Sequence, residues 1–226
     1  MIVTIVHAAL PAAGAALAEN LALLRGRHGR KVLLLDAGAE RMREHWSADR
    51  DRSRLRPAVT TRTVTGRGLS ADLERFLARY DDIVIEAGDG NDNSPECRRA
   101  LIAAEVALIL LAPEDAGIDA RHPLIARLNG ARMFNPGLRV LFVAAGGEHD
   151  PAPEALAAMR TDAARVMSAG VAHTVLHLPA LSWGAGQPGR CASDIESSTG
   201  AAEMTALYDE VYQADAPQVV SVGKIF

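Results

Sequence analysis

Short apolar runs rich in β-branched residues alternate along the chain with segments in which apolar residues recur at helical spacing. The runs lack the strict polar–apolar alternation of a strand with one face in solvent, so they are typical of strands buried on both faces of a parallel sheet. This order predicts an α/β fold with a doubly wound, mostly parallel sheet and helices on both faces. The predicted strands span residues 2–6, 31–35, 82–85, 106–111, 138–144 and 173–178.

Chain breakers support the boundaries between these elements. Gly29 follows the first predicted helix, and Gly170 follows the alanine-rich one. A chain of 226 residues is within the range of one α/β domain, so we expect a single domain over residues 1–213. For the tail, residues 214–226, an added edge strand, a partner-binding arm and a loosely packed end all stay open. The predicted helices span residues 15–27, 70–79, 95–104, 122–132, 152–169 and 201–212.

Composition and charge exclude several classes of protein. The formal net charge of −4 argues against a protein that coats nucleic acid with its whole surface, although it leaves room for a local basic patch. Cys97 and Cys191 lie far apart in sequence and are the only cysteines, so neither a disulfide framework nor a zinc site is predicted. No apolar run approaches the roughly 18 residues that span a bilayer. We therefore expect a cytoplasmic protein without a membrane-spanning segment.

The segment between the first predicted strand and helix is where an open α/β sheet places its default phosphate site. It reads IVTIVHAALPAAGAALAENLALL over residues 2–24 and is followed by GRKVLLLDAG over residues 29–38. Later segments read YDDIVIEAG over residues 80–88 and PECRRALIAAEVALILLAP over residues 95–113. In this order the segments resemble the ParA/MinD family of deviant Walker P-loop proteins, in its small ParF-like branch. The resemblance implies a P-loop NTPase-like fold.

The phosphate-binding positions of that family hold other residue types in this chain. Anchored on the Asn-Leu-Ala of residues 20–22, the resemblance places Ala9 at the family's signature lysine and Gly14 at its Walker lysine. The loop glycines and the hydroxyl residues are replaced by Leu10, Pro11, Ala13, Ala15 and Ala16. The motif that is most diagnostic of the family is therefore changed at every functional position.

These replacements remove what phosphate binding needs. In a P-loop, glycines let successive backbone N–H groups turn toward phosphate, a lysine neutralises charge, and a Ser or Thr hydroxyl binds Mg²⁺. Pro11 has no N–H, and no lysine lies between Met1 and Arg30. We therefore predict no catalytic residue, no ATPase activity and no cofactor, with a divergent site for ATP and Mg²⁺ as the alternative. The predicted vestigial pocket consists of Ala9, Pro11, Gly14, Ala15, Asp36 and Glu86.

Acidic residues follow the second and third predicted strands. Asp36 matches the first aspartate after the family's second strand, Gly38 replaces the second aspartate, and Glu86 takes the place of the Walker B aspartate. Asp89 and Asp92 come shortly after Glu86. Such carboxylates could hold a residual Mg²⁺ or an arginine or lysine side chain, or they could cap a neighbouring helix or face water. We predict no dedicated metal site.

An arginine-rich stretch lies between residues 41 and 67, with eight arginines against three acidic residues. That density could follow a nucleic-acid backbone without reading its sequence, or it could be a solvated charged surface. Trp46 would then stack on a base or anchor the loop. The nucleic-acid candidates are Arg50, Arg52, Arg54 and Arg56, and the stretch also contains Arg41, Arg43, Arg62 and Arg67.

Two other features give weaker predictions. His173 and His177 are four residues apart, but no third metal ligand is evident beside them. The glycine-rich GAGQPG over residues 184–189 follows no clear transition from strand to helix, so a plain loop is predicted there.

Three functions are compatible with the sequence. The first is a ParA-like scaffold or positioning protein that no longer hydrolyses nucleotide, acts as a homodimer or docks onto an unidentified protein partner, and by resemblance serves plasmid or chromosome partition or the placement of an envelope or secretion assembly. The second is a divergent ATP-binding partition ATPase that takes its cation from residues 50–56. The third is a non-specific DNA-binding protein that needs no nucleotide.

Overall fold

The computed structural model describes residues 1–38, 45–64, 69–90, 94–112, 118–181 and 187–212, with the backbone alone at residues 118–120. Several sequence predictions therefore fall outside the described residues: Arg41, Arg43, Arg67, Asp92, the tail over residues 214–226 and part of the GAGQPG segment.

One sheet of parallel strands forms the centre of the molecule. Its strands are β1 (Ile2–His7), β2 (Val32–Asp36), β3 (Thr60–Thr63), β4 (Asp82–Asp89), β5 (Val106–Leu111), β6 (Arg139–Gly146) and β7 (Ala169–His177). They are arranged in the order β3-β2-β4-β1-β5-β6-β7, and every pairing between neighbours is parallel. All residues of β1, β2 and β5 are buried, as expected for strands covered on both faces.

Helices cover both faces of the sheet. They are α1 (Pro11–Arg27), α2 (Trp46–Arg52), α3 (Leu69–Leu77), α4 (Pro95–Ala103), α5 (Ile118–Phe134), α6 (Pro153–Ala163), α7 (Leu178–Leu181) and α8 (Thr199–Tyr212), with a short 3₁₀ helix at Ala192–Asp194. Apolar residues of α1 and α8 pack in one core cluster, and those of α3, α4, α5 and α6 pack in the other. The predicted doubly wound α/β fold is therefore confirmed. No helix in the described ranges is long and apolar enough to cross a membrane.

The structure differs from the sequence predictions at several elements. Strand β3 was missed because its sequence, TTRT, is polar and half-exposed and carries no apolar signal. Helix α6 ends at Ala163, not at residue 169, and β7 begins at Ala169, before the predicted start at residue 173. Helix α1 begins at Pro11, ahead of the predicted start at Ala15, and this difference bears directly on the candidate site.

Candidate functional site

The carboxyl ends of β2, β4 and β1 lie side by side because these strands are neighbours in the sheet. Asp36 ends β2 and is the register partner of Glu86 in β4, while His7 ends β1 and is the register partner of Asp89. His7, Asp36 and Glu86 are all buried. The sheet thus brings two predicted pocket residues together with a histidine that sequence reasoning did not single out. The sequence did contain one indication of its role: His7 is an ionisable residue at the end of a mostly apolar strand.

The segment at the position of the family's phosphate loop includes the first turn of α1. The Gly14 N–H donates a hydrogen bond of 2.9 Å to the Leu10 carbonyl oxygen, which is the i to i−4 bond of a helix. Pro11 occupies the first helical position, where a missing N–H has no intrahelical partner to lose. An amide that a P-loop would point at phosphate is therefore used to build the helix.

The backbone amides just before α1 are also used within the protein. The Ala9 N–H donates to Asp89 Oδ2 at 3.4 Å, and the Leu10 N–H donates to His7 Nδ1 at 3.2 Å. Pro11 follows and has no N–H. Ala9 itself has a φ of 56°, in the left-handed region that glycine adopts more easily. These contacts close the turn from β1 into α1.

The imidazole of His7 lies under the start of α1. Its Nδ1 accepts the hydrogen bond from Leu10, so in the neutral ring the proton is on Nε2. Nε2 is 3.6 Å from Oε1 of Glu86. On its other side the ring lies against Gly14, where an added Cβ would be 2.7 Å from Cδ2 of His7. The lack of a side chain at residue 14 thus leaves the room that the histidine ring occupies.

The Glu86 carboxylate fills the space between β4 and the turn after β2. The Gly88 N–H donates to Glu86 Oε1 at 3.0 Å. Oε2 of Glu86 would be 2.5 Å from a Cβ on Gly38, so the aspartate that the resemblance places there would require the Glu86 carboxylate to move. Glu86 and Gly38 are therefore a matched pair, as are His7 and Gly14.

ATP and Mg²⁺, which the fold family implies, do not fit the residues at this site. Ala15, at the position of the Mg²⁺-binding hydroxyl, is buried and presents a methyl group. His7 and the carboxylates of Asp36, Glu86 and Asp89 lie at this end of the sheet, and residues 8–15 include no lysine or arginine to offset the charge of a triphosphate. Arg127 of α5, whose guanidinium donates to the Gly90 carbonyl oxygen, is held by the loop after β4. Among the described residues, no group of three or more His, Cys, Asp or Glu side chains is placed to hold a metal ion.

Arg50, one of the nucleic-acid candidates, must be reassigned to the interior. Its side chain is 0% exposed, and its Nη1 donates to Asp194 Oδ2 at 2.6 Å and to the Gly189 carbonyl at 2.9 Å. A second bond joins Nη2 to Asp194 Oδ1 at 3.2 Å. This buried, bidentate ion pair joins α2 to the 3₁₀ helix. The guanidinium of Arg50 is therefore not accessible to a phosphate backbone.

The other nucleic-acid candidates, Arg52, Arg54 and Arg56, are exposed. Arg52 forms an ion pair with Asp49 in the same helix. Trp46 is buried and packs in the core, with the Arg50 guanidinium 5.1 Å from the centre of its ring. Of the two readings of Trp46, the structure therefore supports an anchor for the segment and not a stacking surface.

The two histidines of β7 are partners of carboxylates on α8. His177 Nδ1 is 2.7 Å from Glu203 Oε1, and its Nε2 is 3.4 Å from Asp150 Oδ1. His173 is 97% exposed, with Nδ1 3.4 Å from Glu210 Oε2. The two histidines therefore connect β7 to α8 and do not form a metal site with each other.

Both cysteines are buried thiols. Burial raises the pKa of Cys97 to about 11 and raises the pKa of Cys191 well above its ordinary value. Neither thiol is thus activated as a nucleophile at neutral pH.

Comparison with known proteins finds similar structures but no similar sequences. No protein-family model and no curated protein matches the chain. The septum site-determining protein MinD of Pyrococcus horikoshii, solved with Mg-ADP, superposes with a TM-score of 0.66 at 18% identity, over 96% of this chain and 97% of that one. MinD of Aquifex aeolicus superposes with a TM-score of 0.60 at 12% identity, over 93% of this chain and 96% of that one.

A plasmid partition protein is equally similar in structure. The putative partition protein of Borrelia burgdorferi, solved with AMPPNP, has a TM-score of 0.66 at 12% identity, over 94% of this chain and 98% of that one. At such low identities the likeness concerns the fold. Two of these three proteins were solved with a nucleotide.

Proposed function

We propose that this chain, which has the ParA/MinD-family fold, is a scaffold or positioning protein that neither binds nor hydrolyses ATP. In this proposal it acts by homodimerisation or by docking onto a protein partner, in plasmid or chromosome partition or in placing an envelope or secretion assembly. The observation that carries the proposal is the start of α1 at Pro11, which converts the phosphate loop into a helical turn.

Steric closure and charge support the same conclusion. A phosphate group would have to displace His7 from Gly14 and break the bond between His7 and Leu10. It would also approach the carboxylates of Glu86 and Asp89 without a lysine to offset their charge. Phosphoryl transfer depends almost entirely on positioning and on positive groups around the phosphate, so losing both leaves no basis for turnover.

A protein with such a site would not be switched by nucleotide. A ligand shifts a conformational equilibrium only through its different affinity for the two states, and a nucleotide that does not bind has no such influence. The chain would therefore present the same dimerisation or docking surface at all times. Interaction with the partner would be controlled by concentration and location.

Oligomeric state measured with and without nucleotide tests this function. We expect sedimentation of the full chain to give the same mass distribution in buffer, with ATP and Mg²⁺, and with ADP and Mg²⁺. A nucleotide-dependent change in mass would mean that the site is a working switch.

Nucleotide-independent binding to DNA is the second candidate, and one observation favours it. Arg52, Arg54 and Arg56 are exposed on one short segment, which Arg50 fixes to the body of the protein through Asp194. A rigidly held basic segment suits contact with phosphates along a duplex. The divergent ATPase receives less support, because Arg50 is committed to Asp194 and would have to leave a buried pair to reach a nucleotide.

A further inference from the structure

Strand β7 is an edge of the sheet, and its outer side is covered in an unusual way. It pairs with β6 on one side, and no other strand within the described residues pairs with it. A free edge presents unpaired N–H and C=O groups that can pair with a strand of another molecule. The opposite edge, β3, has four residues and carries the exposed Arg62, features that discourage such pairing. Strand β7 has nine residues and needs another protection.

Two carboxylates of α8 bind the outward amides of β7. Glu210 accepts from the His173 N–H at 2.8 Å, and from the Thr174 N–H and hydroxyl at 2.8 and 2.6 Å. Glu203 accepts from the His177 N–H at 2.9 Å. The two glutamates are seven residues apart, so they lie on the same face of α8, two turns from each other.

An irregularity in β7 explains why Glu210 can bind two successive amides. The register of β7 against β6 shifts between the pairs Phe142–Val171 and Ala144–Val175, so β7 has extra residues at this point. A bulge of this kind leaves residues without partners in the ladder. The amides of His173 and Thr174 are thereby free to face the same carboxylate.

We propose that Glu203 and Glu210 form an edge lock, which occupies the outward N–H groups of β7 and prevents this strand from pairing with β7 of a second copy of the chain. While the lock is closed, an incoming strand finds its donors already bound to a negatively charged group. The ionised state of Glu210 is favoured: burial works against it, but the hydrogen bonds from Thr174 and His173 lower the pKa of Glu210 below its ordinary value. Opening the lock frees these three N–H groups in a strand of nine residues, which is long enough for pairing between two copies.

Hydrogen exchange combined with sedimentation tests the edge lock. In the variant Glu203→Ala/Glu210→Ala we expect the amides of His173, Thr174 and His177 to exchange about tenfold faster or more, while amides of β1 keep their rates. We also expect concentration-dependent self-association beyond that of the wild type. The milder Glu210→Gln variant retains one acceptor oxygen and keeps the shape of the side chain, and it should show a smaller change in the same direction.

Two further variants make the result decisive. Glu196→Ala removes an exposed carboxylate from the loop before α8 and should match the wild type in both measurements. Adding His173→Lys to the double variant places a charge on the open edge and should reverse the association without slowing amide exchange. Unchanged exchange in the double variant would overturn the proposal. So would faster exchange without new association, or association that the lysine leaves intact.

Discussion

His7 and Gly14 fit each other: the histidine ring lies where a side chain on residue 14 would be, with only 2.7 Å between Cδ2 and the position of a Cβ. The lysine that a working P-loop carries at this position therefore cannot be accommodated while His7 keeps its place. The hydrogen bond from the Leu10 N–H to His7 Nδ1 keeps the ring there. The side chain at residue 7 and the lack of one at residue 14 thus depend on each other in this structure.

Restoring the lysine alone should therefore damage the protein without restoring nucleotide binding. We expect Gly14→Lys to lower the free energy of unfolding by about 1–3 kcal/mol, the usual cost of overpacking a filled site. Urea denaturation measures this loss, and Gly130→Lys, at a helical glycine with open space around it, controls for the introduction of a lysine into a helix.

The double variant Gly14→Lys/His7→Ser should recover part of the loss, since removing the ring makes room for the lysine stem. Equal stability of the two lysine variants at residue 14 would contradict the steric coupling between His7 and Gly14.

The buried pair of Arg50 and Asp194 should be important for stability. Arg50→Ala removes two charge-assisted hydrogen bonds from buried Asp194 and leaves Arg27, at 3.2 Å, as its charged partner, so we expect a destabilisation of about 1.5–3 kcal/mol. Exposed Arg54 is the matched control, and Arg54→Ala should change the free energy of unfolding by less than about 0.5 kcal/mol. Chemical denaturation of both variants checks this. Similar losses in the two would show that Arg50 is not in the interior.

Acid sensitivity should depend on Asp82. Burial works against its ionised form, but hydrogen bonds of 2.9 Å each from Arg25 and Arg30 outweigh this and hold the pKa of Asp82 below its ordinary value. Because the folded-state pKa is lowered, the stabilisation is complete above about pH 4 and is lost as the pH falls through the folded-state pKa. The free energy of unfolding should thus fall less steeply below pH 4 in Asp82→Asn than in the wild type. Denaturation at a series of pH values measures this. If the free energy of unfolding fell equally steeply in both proteins, this role of Asp82 would be refuted.

The DNA-binding candidate makes a prediction of its own. If Arg52, Arg54 and Arg56 contact phosphates, fluorescence anisotropy with a duplex should show affinity that falls steeply with salt. Changing all three to Ala should reduce the slope of log K against log salt by up to about 3. The matched control changes three exposed arginines elsewhere, Arg75, Arg79 and Arg160. If both triple variants reduced the slope equally, the effect would come from net charge, and the specific role of Arg52, Arg54 and Arg56 would be contradicted.

Much of the fold was predictable because β1 and β5 are mostly apolar strands, and their burial on both faces is visible in the sequence as apolar runs. Strand β3 was not, because it is half-exposed and held mainly by backbone pairing with β2. That Pro11 supplies no amide to a phosphate could also be read from the sequence.

The contacts that replace the phosphate loop could not be read in this way. Whether His7 faces the site, and whether Arg50 is a surface charge or a buried one, depends on residues distant in sequence. Glu86 and Asp194 are their respective partners, and a pattern of residue types does not show such pairings. In the sequence, an arginine of a basic stretch looks the same whether its side chain is exposed or buried in an ion pair.

Calorimetric titration of the full chain with ATP in the presence of Mg²⁺ tests the central claim most directly. The turn closed by His7 and Pro11 predicts no heat of specific binding up to millimolar nucleotide. Saturable binding at micromolar concentration, lost when Mg²⁺ is removed, would contradict the account.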